Sequence, residues 1–197
     1  NLAGLSAGST VKVDKATGFT GAVDALTVGF RNPEAAATID VNADIDGAMA
    51  TSKITAVTYD FAEAVVATTG TIATTDATSL TITAAKGFAR STIQDTDNKL
   101  TSVTITGSDA VTTTTIGAAN TNSLATVNVS AVKALALDAI GGNSTKLDTV
   151  TLASTTKGIT FTDSKLIGKT DNAVELDVTL SAKEAITSTT GTAATGI

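Results

Sequence analysis

A short segment of alternating apolar and polar residues recurs along the chain at a nearly constant interval. Three copies fit one frame, Lys53–Tyr59, Lys99–Ile105 and Lys146–Leu152, and two degenerate copies lie between them, Asp76–Ile82 and Ser123–Val129. The central apolar residues of the five copies are Val57, Leu80, Val103, Val127 and Val150. An interval of about 23 residues that repeats so regularly is typical of architectures built from one supersecondary unit.

The register continues beyond the first segment of each unit. A sixth copy, Val178–Leu180, follows after a longer step, and Leu176–Val178 is an alternative register two residues earlier. A second apolar position lies eight residues after the centre, or nine in the fifth copy: Val65, Phe88, Val111, Leu135, Ile159 and Ile186. A third lies thirteen residues after it: Ile93, Ile116 and Ile140. A unit this short cannot enclose a core alone, so stacked copies must share one.

The residue types within the repeat favour strands. Thr is the commonest residue, and Thr, Val and Ile are branched at Cβ, which favours extended backbone. A disordered, Pro-rich stalk is disfavoured because Pro33 is the single Pro. We therefore predict an all-β fold, a parallel β-helix or β-solenoid with coils of about 23 residues.

Two other architectures are compatible with the interval. A leucine-rich repeat has a strand of the form Leu-x-x-Val-x-Ile and a unit length in this range. The Asn or Cys that follows the strand in that family is replaced here by small polar stretches such as Thr106–Asp109. A tandem of β-sandwiches is the second alternative.

A stacked solenoid predicts what equivalent positions must contain, because successive coils lie about 4.8 Å apart. The position after the central residue is Thr in all copies but one: Thr58, Thr81, Thr104, Asn128, Thr151 and Thr179. Such a ladder suits the outward face of a parallel sheet. The position that begins each copy reads Lys53, Asp76, Lys99, Ser123 and Lys146, so that no Lys lies directly above another.

The interval breaks down in residues 1–53. The segments Val11–Val13, Leu26–Val28 and Ile39–Val41 recur at shorter steps, of about 13 to 15 residues. We predict an irregular or narrower β section there (a hairpin cap and a separate small β domain are the alternatives) and solenoid repeats over residues 54–197. The chain begins at Asn1 without a signal-peptide pattern, and neither end shows an obvious cap, so we expect it to be a piece of a longer chain.

Composition excludes several classes of function. The chain has no Cys and no His, so a zinc finger, a thiol redox site or a His-based triad cannot be built within it. The net charge of −6, with Arg31 and Arg90 as the only Arg residues, opposes a nucleic-acid surface. Apolar stretches such as Ala64–Ala67 are far too short to span a bilayer. With only four Glu and one Tyr, glycoside chemistry is also disfavoured, and we predict a structural or binding module that is not an enzyme.

Two acidic clusters are candidate metal sites. Asp40, Asn42, Asp44 and Asp46 alternate with apolar or small residues. Within this stretch Asn42–Gly47 resembles the first half of a calcium loop, although Lys53 occupies the position of the bidentate Glu. Hard oxygen ligands at alternate positions could hold Ca²⁺ without an EF-hand. A weaker cluster is formed by Asp95, Asp97 and Asn98. The alternative interpretation of both clusters is a solvated acidic surface.

The repeats resemble bacterial surface-layer proteins of the calcium-dependent, type I-secreted RTX kind. Coils such as Asp76–Ile82 and Leu100–Ile105 are similar to the lattice-forming domains of that family, as are the lack of Cys, the acidic pI of about 4.5 and the scarcity of aromatic residues. Gly-Gly-x-Gly-x-Asp nonapeptides, which the family commonly carries, do not occur in this sequence. The resemblance implies a secreted subunit that assembles with copies of itself into a two-dimensional lattice on the cell surface. It also implies organisation by Ca²⁺ and anchoring to cell-surface polysaccharide or lipopolysaccharide through other regions.

The sequence is therefore compatible with three functions. The first is a structural lattice subunit, and the second is an adhesin or passenger-type binding module on the same scaffold. The third follows from the Thr ladder, because flat Thr arrays can bind ice. The neighbouring outward column is too irregular for an ice lattice, since it reads Asp60, Thr83, Thr106, Ser130, Ala153 and Ser181.

Overall fold

The computed structural model describes residues 2–6, 11–12, 25–32, 39–42, 55–65, 71–75, 77–95, 98–117, 123–141, 144, 146–161 and 176–188. Within these residues sixteen strands form two parallel sheets of eight strands, and no helix occurs. The predicted all-β, parallel β-solenoid is confirmed. A leucine-rich horseshoe is not observed, because both segments of the unit are strands.

The chain alternates between the two sheets from one strand to the next. The first sheet contains, in spatial order, β1 (Leu2–Ser6), β3 (Ala25–Asn32), β5 (Ala56–Phe61), β7 (Ser79–Ala84), β9 (Ser102–Gly107), β11 (Thr126–Ala131), β13 (Thr149–Ser154) and β15 (Asp177–Ala182). The second sheet contains β2 (Val11–Lys12), β4 (Ile39–Asn42), β6 (Thr71–Thr75), β8 (Phe88–Asp95), β10 (Val111–Ile116), β12 (Leu135–Ile140), β14 (Ile159–Phe161) and β16 (Ile186–Ser188). Each pair of successive strands is therefore one coil.

The five predicted central residues form a single inner file. Val57, Leu80, Val103, Val127 and Val150 are consecutive backbone partners in the first sheet. Each of these side chains is at most 1% exposed. Val178 pairs with Val150, so the first of the two registers considered for the sixth copy is correct. Burying one such side chain stabilises the fold by about 1.5–3 kcal/mol, and the file repeats that gain in every coil.

The inward side of the first sheet contains two further files that differ in size. The file two residues beyond the inner file is large and fully buried: Val28, Tyr59, Ile82, Ile105, Val129 and Leu152. The next file becomes small, with Ala84, Gly107 and Ala131 following Phe61. The Phe61 ring packs on Phe88 of the second sheet at a centroid distance of 5.8 Å. The space between the sheets is thus filled by a file of large residues next to a file of mostly small ones.

The second sheet carries the other two predicted apolar positions. Phe88, Val111, Leu135, Ile159 and Ile186 are consecutive partners, and Val65 joins the file through an isolated bridge. The third position is confirmed as well, because Ile93, Ile116 and Ile140 stack and are fully buried. In β12 the two half-buried residues Asp138 and Ala139 interrupt the alternation before Ile140. This interruption explains why the spacing within the strand changes from two residues to three.

The strands before residue 53 belong to the same two sheets. Leu26 pairs with Val57 in the first sheet, and Val11 pairs with Val41 in the second. The chain between such partners is longer than in the later coils. The shorter recurrences therefore connect strands of opposite sheets and correspond to half-coils. The division of the chain at residue 53 stays a prediction.

Turns with left-handed backbone close the second-sheet strands. Gly117 and Gly141 follow directly after the buried Ile116 and Ile140 and have φ of 80° and 64°. A Cβ on Gly141 would lie 2.6 Å from Leu147 Cδ2, so close packing as well as backbone conformation requires Gly there. Asn98 has φ of 63°, a conformation that Asn tolerates better than most residues.

Candidate functional site

The outward face of the first sheet carries a row of side chains that are mostly Thr hydroxyls. The predicted Thr ladder is confirmed, and it extends by one coil to Thr27: the backbone partners run Thr27, Thr58, Thr81, Thr104, Asn128, Thr151 and Thr179. The members are half-buried between their neighbours, except that Thr27 and Thr179 are exposed. We refer to these seven residues as the Thr file.

Hydrogen bonds link successive coils beside the Thr file. Thr83 Oγ1 donates to Asp60 Oδ1 at 2.6 Å, and Ser130 Oγ lies 3.5 Å from Thr106 Oγ1. At the start of the strands, Thr78 Oγ1 donates to the Thr55 carbonyl at 3.0 Å, and one coil later Thr101 Oγ1 donates to the Thr78 carbonyl at 2.8 Å. The hydroxyl groups therefore hold the coils in register.

The corners form a second surface that sequence reasoning missed. A corner is the short segment between a first-sheet strand and the following second-sheet strand, such as residues 85–87 and 108–110. Successive corners contribute the charged residues Glu63, Lys86, Asp109, Lys133, Lys157 and Glu184. From residue 55 onward, these six charges recur from corner to corner at the interval of the apolar repeat or close to it. This periodic recurrence of charged residues is the sequence feature from which the corner surface could have been predicted.

The corner charges pair across coils. Lys86 Nζ contacts Glu63 Oε2, Lys133 Nζ lies 2.7 Å from Asp109 Oδ2, and Lys157 Nζ lies 2.9 Å from Glu184 Oε1. All six side chains are between about two fifths and three fifths exposed. Exposed pairs of this kind stabilise little individually, but they reject a shifted register in which like charges would meet.

One corner carboxylate has a perturbed pKa. The hydrogen bond from Lys133 Nζ lowers the pKa of Asp109, and the bond from the Ala110 N–H at 2.7 Å lowers it further. Both donors stabilise the ionised carboxylate and outweigh a small opposing effect of desolvation.

The corner after β13 has to accommodate Lys157, which follows Lys133 of the preceding corner in the series of corner charges. The residues Thr155–Gly158 give it one more residue than the corners 85–87, 108–110 and 132–134, and the Thr156 N–H donates to the Val132 carbonyl at 2.9 Å. Thr156 therefore occupies the position next to Lys133, while Lys157 pairs with Glu184 in the following coil. The extra residue separates Lys157 from Lys133.

The described residues of the two predicted calcium clusters lie in or just after strands of the second sheet. Asp40 and Asn42 belong to β4, where they pair with Ala73 and Thr75 of β6. Asp95, at the end of β8, pairs with Thr74 of β6, so this strand separates the two clusters. Asn98 follows β8 and is exposed. Asp44, Asp46 and Asp97 lie outside the described residues, and the calcium assignment stays a prediction.

No convergent catalytic arrangement is present in the described residues. None of their His, Cys, Asp and Glu side chains form a group of three that could hold a metal ion. A shallow groove beside the corners is lined mainly by apolar groups, among them Val65 and Phe88. No membrane-spanning helix is found in the described parts of the chain. What these residues offer is a regular, repeating surface.

Comparisons with known proteins give no relative from which a function could be transferred. No family model matches the chain, and neither curated proteins nor solved structures show a significant similarity to it.

Proposed function

We propose that the chain is a structural subunit of a secreted, self-assembling bacterial surface layer. The observation that supports this most is the solenoid itself, a scaffold whose described surface repeats the same hydroxyl array and the same charged corner in successive coils. Repetition of surface groups at a fixed spacing provides many equivalent contacts, which a lattice requires. The resemblance of the coils to surface-layer proteins of the RTX kind supports the same proposal.

Assembly in the presence of calcium is the direct test. The intact protein is examined by electron microscopy and light scattering with millimolar Ca²⁺ and with a chelator. Ordered sheets in Ca²⁺ that dissolve in chelator are the expected result. A protein that stays monomeric under both conditions contradicts the proposal.

Calcium binding is the second part of the proposal and is tested separately. Asp40, Asn42, Asp44 and Asp46 are the proposed ligands, and oxygen ligands of this kind suit Ca²⁺. Calorimetric titration with Ca²⁺ is expected to show binding that is lost in the Asp40→Asn, Asp44→Asn double variant. The Asp148→Asn variant is the control, because Asp148 is exposed and directly precedes β13 of the first sheet. Equal binding by all three proteins contradicts the assignment.

An adhesin or passenger-type binding module is the alternative function. The hydroxyl face of the first sheet favours it, because arrays of Thr and Ser hydroxyl groups can donate to and accept from a carbohydrate surface. Binding of a glycan that is lost when Thr81 and Thr104 are both changed to Val, without any ordered assembly in Ca²⁺, would support this alternative over the coat.

A further inference from the structure

Four successive corners form one stacked surface in the middle of the solenoid. They comprise residues 62–64, 85–87, 108–110 and 132–134, and we call them the corner face. The first-sheet strands that lead into them all have a described strand on each side. Backbone hydrogen bonds hold the corners one above the other. The Ala85 N–H donates to the Phe61 carbonyl at 2.9 Å, and the Lys133 N–H donates to the Asp109 carbonyl at 3.3 Å.

Charges alternate in sign along the corner face. Each corner has one charged residue in its middle, and in chain order these are Glu63, Lys86, Asp109 and Lys133. Their side chains are between 38% and 58% exposed, and each Lys pairs with the acidic residue of the preceding coil. The residues beside the charges are Ala, Gly or Ser, except for Val132. Because these neighbours are small, the charged groups are the part of the surface that a partner meets first.

An alternating column of four charges is complementary to its own reverse. The order negative, positive, negative, positive becomes positive, negative, positive, negative when it is read from the other end. Two copies related by a two-fold axis therefore present opposite charges at every level. The chain as a whole carries a net charge of −6, so copies repel each other on average, whereas the corner face has two positive and two negative charges. Two copies can therefore meet at this face without net repulsion.

We propose that the corner face pairs with the corner face of a second copy, around a two-fold axis midway between the levels of Lys86 and Asp109. Lys86 of each copy faces Asp109 of the other, and Glu63 of each faces Lys133 of the other. Four ion pairs form between the chains, and each charge keeps its partner within its own chain. The inference rests on the proposed function, since it names one contact through which copies of a coat subunit associate.

Charge disfavours the neighbouring positions of the axis. An axis at the level of Lys86 or of Asp109 places that residue opposite its own copy. An axis between Asp109 and Lys133 places Lys86 opposite Lys157. An axis between Glu63 and Lys86 forms two ion pairs among the described corners instead of four. Each of these positions loses pairs or gains like-charge contacts.

Two other arrangements come closest to the proposed one. An axis at Lys133 pairs Asp109 with Lys157 and Lys86 with Glu184, but it places Lys133 opposite its own copy and Lys183 near Lys86. Columns that run in the same direction and are shifted by one coil form three pairs, place Lys133 opposite Lys157 and do not close into a symmetric pair. The proposed register forms four pairs with no like charges opposite each other.

The contact is small and therefore weak in isolation. Three intervals between coils and one separation between the sheets give the corner face a length of about 14 Å and a width of about 10 Å. This area is well below what a stable dimer buries. In a coat many such contacts act together, which raises the overall strength of association. The pairing is therefore best detected by covalent trapping.

Thiol cross-linking tests the register. The chain has no Cys, so introduced thiols are the only ones present. Chains carrying Ala62→Cys are mixed with chains carrying Val132→Cys at high protein concentration and treated with a short bismaleimide. These exposed positions face each other in the proposed pair, whereas two identical positions lie three coils apart, about 14 Å along the solenoid axis. A covalent dimer is expected from the mixture and not from either variant alone.

A mixture of Thr58→Cys and Asn128→Cys chains controls for random collision. These two positions have the same separation of three coils, but they belong to the Thr file on the outward face of the first sheet. No covalent dimer is expected from this mixture. A dimer formed by Val132→Cys alone would indicate the register centred on Lys133 and overturns the proposal. Equal yields from the two mixtures, or no dimer from the corner variants, also overturn it.

Reversal of the whole column separates pairing between chains from pairing within a chain. The four changes Glu63→Lys, Lys86→Glu, Asp109→Lys and Lys133→Glu keep opposite charges within each chain and leave its net charge unchanged. Two reversed columns are complementary to each other, but a reversed column opposite a native one has four like-charge contacts. Cross-linking is expected between two native or two reversed chains and is expected to be about tenfold weaker in the mixed combination. Equal cross-linking in all combinations overturns the proposal.

Ionic strength gives a test that needs no charge variant. In about 1 M salt the screening length falls to about 3 Å, so cross-linking of the native-column mixture is expected to fall several-fold from its value at low salt. An unchanged yield overturns the proposal. Ordered sheets in Ca²⁺ without corner cross-links would contradict this contact alone, whereas corner cross-links without ordered sheets would contradict the coat.

Discussion

Strands β13 and β15 are identical at three of their six positions and lie in different surroundings. Both read as alternating small polar and apolar residues around a Val-Thr-Leu core, and they pair residue by residue. The inward residues of β13 are fully buried, but those of β15 are half-buried. Among the described coils, an inward residue is therefore fully buried where a described coil lies on each side of it, and less buried where one lies on one side only.

Substitution of equivalent Leu residues in β13 and β15 tests the difference between the two strands directly, and it is expected to give the largest effect. Leu152→Ala removes a fully buried side chain between two coils and is expected to lower the free energy of unfolding by about 2–5 kcal/mol. Leu180→Ala removes its half-buried partner in the last described coil and is expected to lower it less. Urea unfolding followed by circular dichroism measures both. Equal losses would mean that the edge of β15 is covered in solution.

Gly107 tests how tightly the interior coils are packed. A Cβ at this position would collide with Val111 Cγ2, so Gly107→Ala is expected to destabilise by about 1–3 kcal/mol. Gly87→Ala in a corner is the control, because nothing lies within 4 Å of the added Cβ. The Gly107→Ala, Val111→Ala double variant tests whether the clash with Val111 causes this loss. If it does, the loss of stability in the double variant is smaller than the sum of the losses in the two single variants.

Replacement of the buried Thr113 hydroxyl is expected to change the free energy of unfolding by a smaller amount and to stabilise the fold. Thr113 is 2% exposed, and its Oγ1 has no hydrogen-bond partner among the described residues. Thr113→Val replaces the hydroxyl with a methyl of similar size and is expected to raise the free energy of unfolding by about 1 kcal/mol. Thr112→Val, on the exposed side of the same strand, is expected to change it little. Destabilisation by Thr113→Val would indicate a hydrogen bond to this hydroxyl.

The smallest expected effect is at the corner and depends on pH. The pKa of Asp109 is lowered in the folded state by Lys133, so the unfolded chain binds the proton more readily. The stabilisation of the fold by ionised Asp109 is complete above the unfolded pKa of about 4. It is lost as the pH falls through the lower pKa of the folded state. Asp109→Asn is therefore expected to reduce the melting temperature slightly at pH 7 and not at pH 2. A larger deficit at pH 2 than at pH 7 would contradict the assignment.

Most of the repeating architecture could be predicted from the sequence. The inner file, the Thr file and the third apolar position all follow from one interval, because each is a column of similar residues in a stacked structure. Ile72 was missed although it pairs with Ile93, since the step between them is shorter than that interval. The half-coil spacing before residue 53 was interpreted as a shorter repeat, because sequence alone does not assign a segment to one sheet or the other.

The candidate surfaces were predicted less completely. The Thr file was found because every member but Asn128 is identical. The corner pairs were not, since opposite charges such as Lys133 and Asp109 do not resemble each other in an alignment of copies. Their pairing becomes visible only when residues one coil apart are compared for charge complementarity instead of identity.

The central claim is that coils stack at a constant rise, and distances between spin labels test it most directly. Labels are placed at Thr179 and, in separate variants, at Thr81, Thr58 or Thr27, which lie four, five and six strands away in the first sheet. A rise of about 4.8 Å per strand predicts backbone separations of about 19, about 24 and about 29 Å that increase linearly. Distances that do not increase in this order, or that are broadly distributed, would contradict the solenoid.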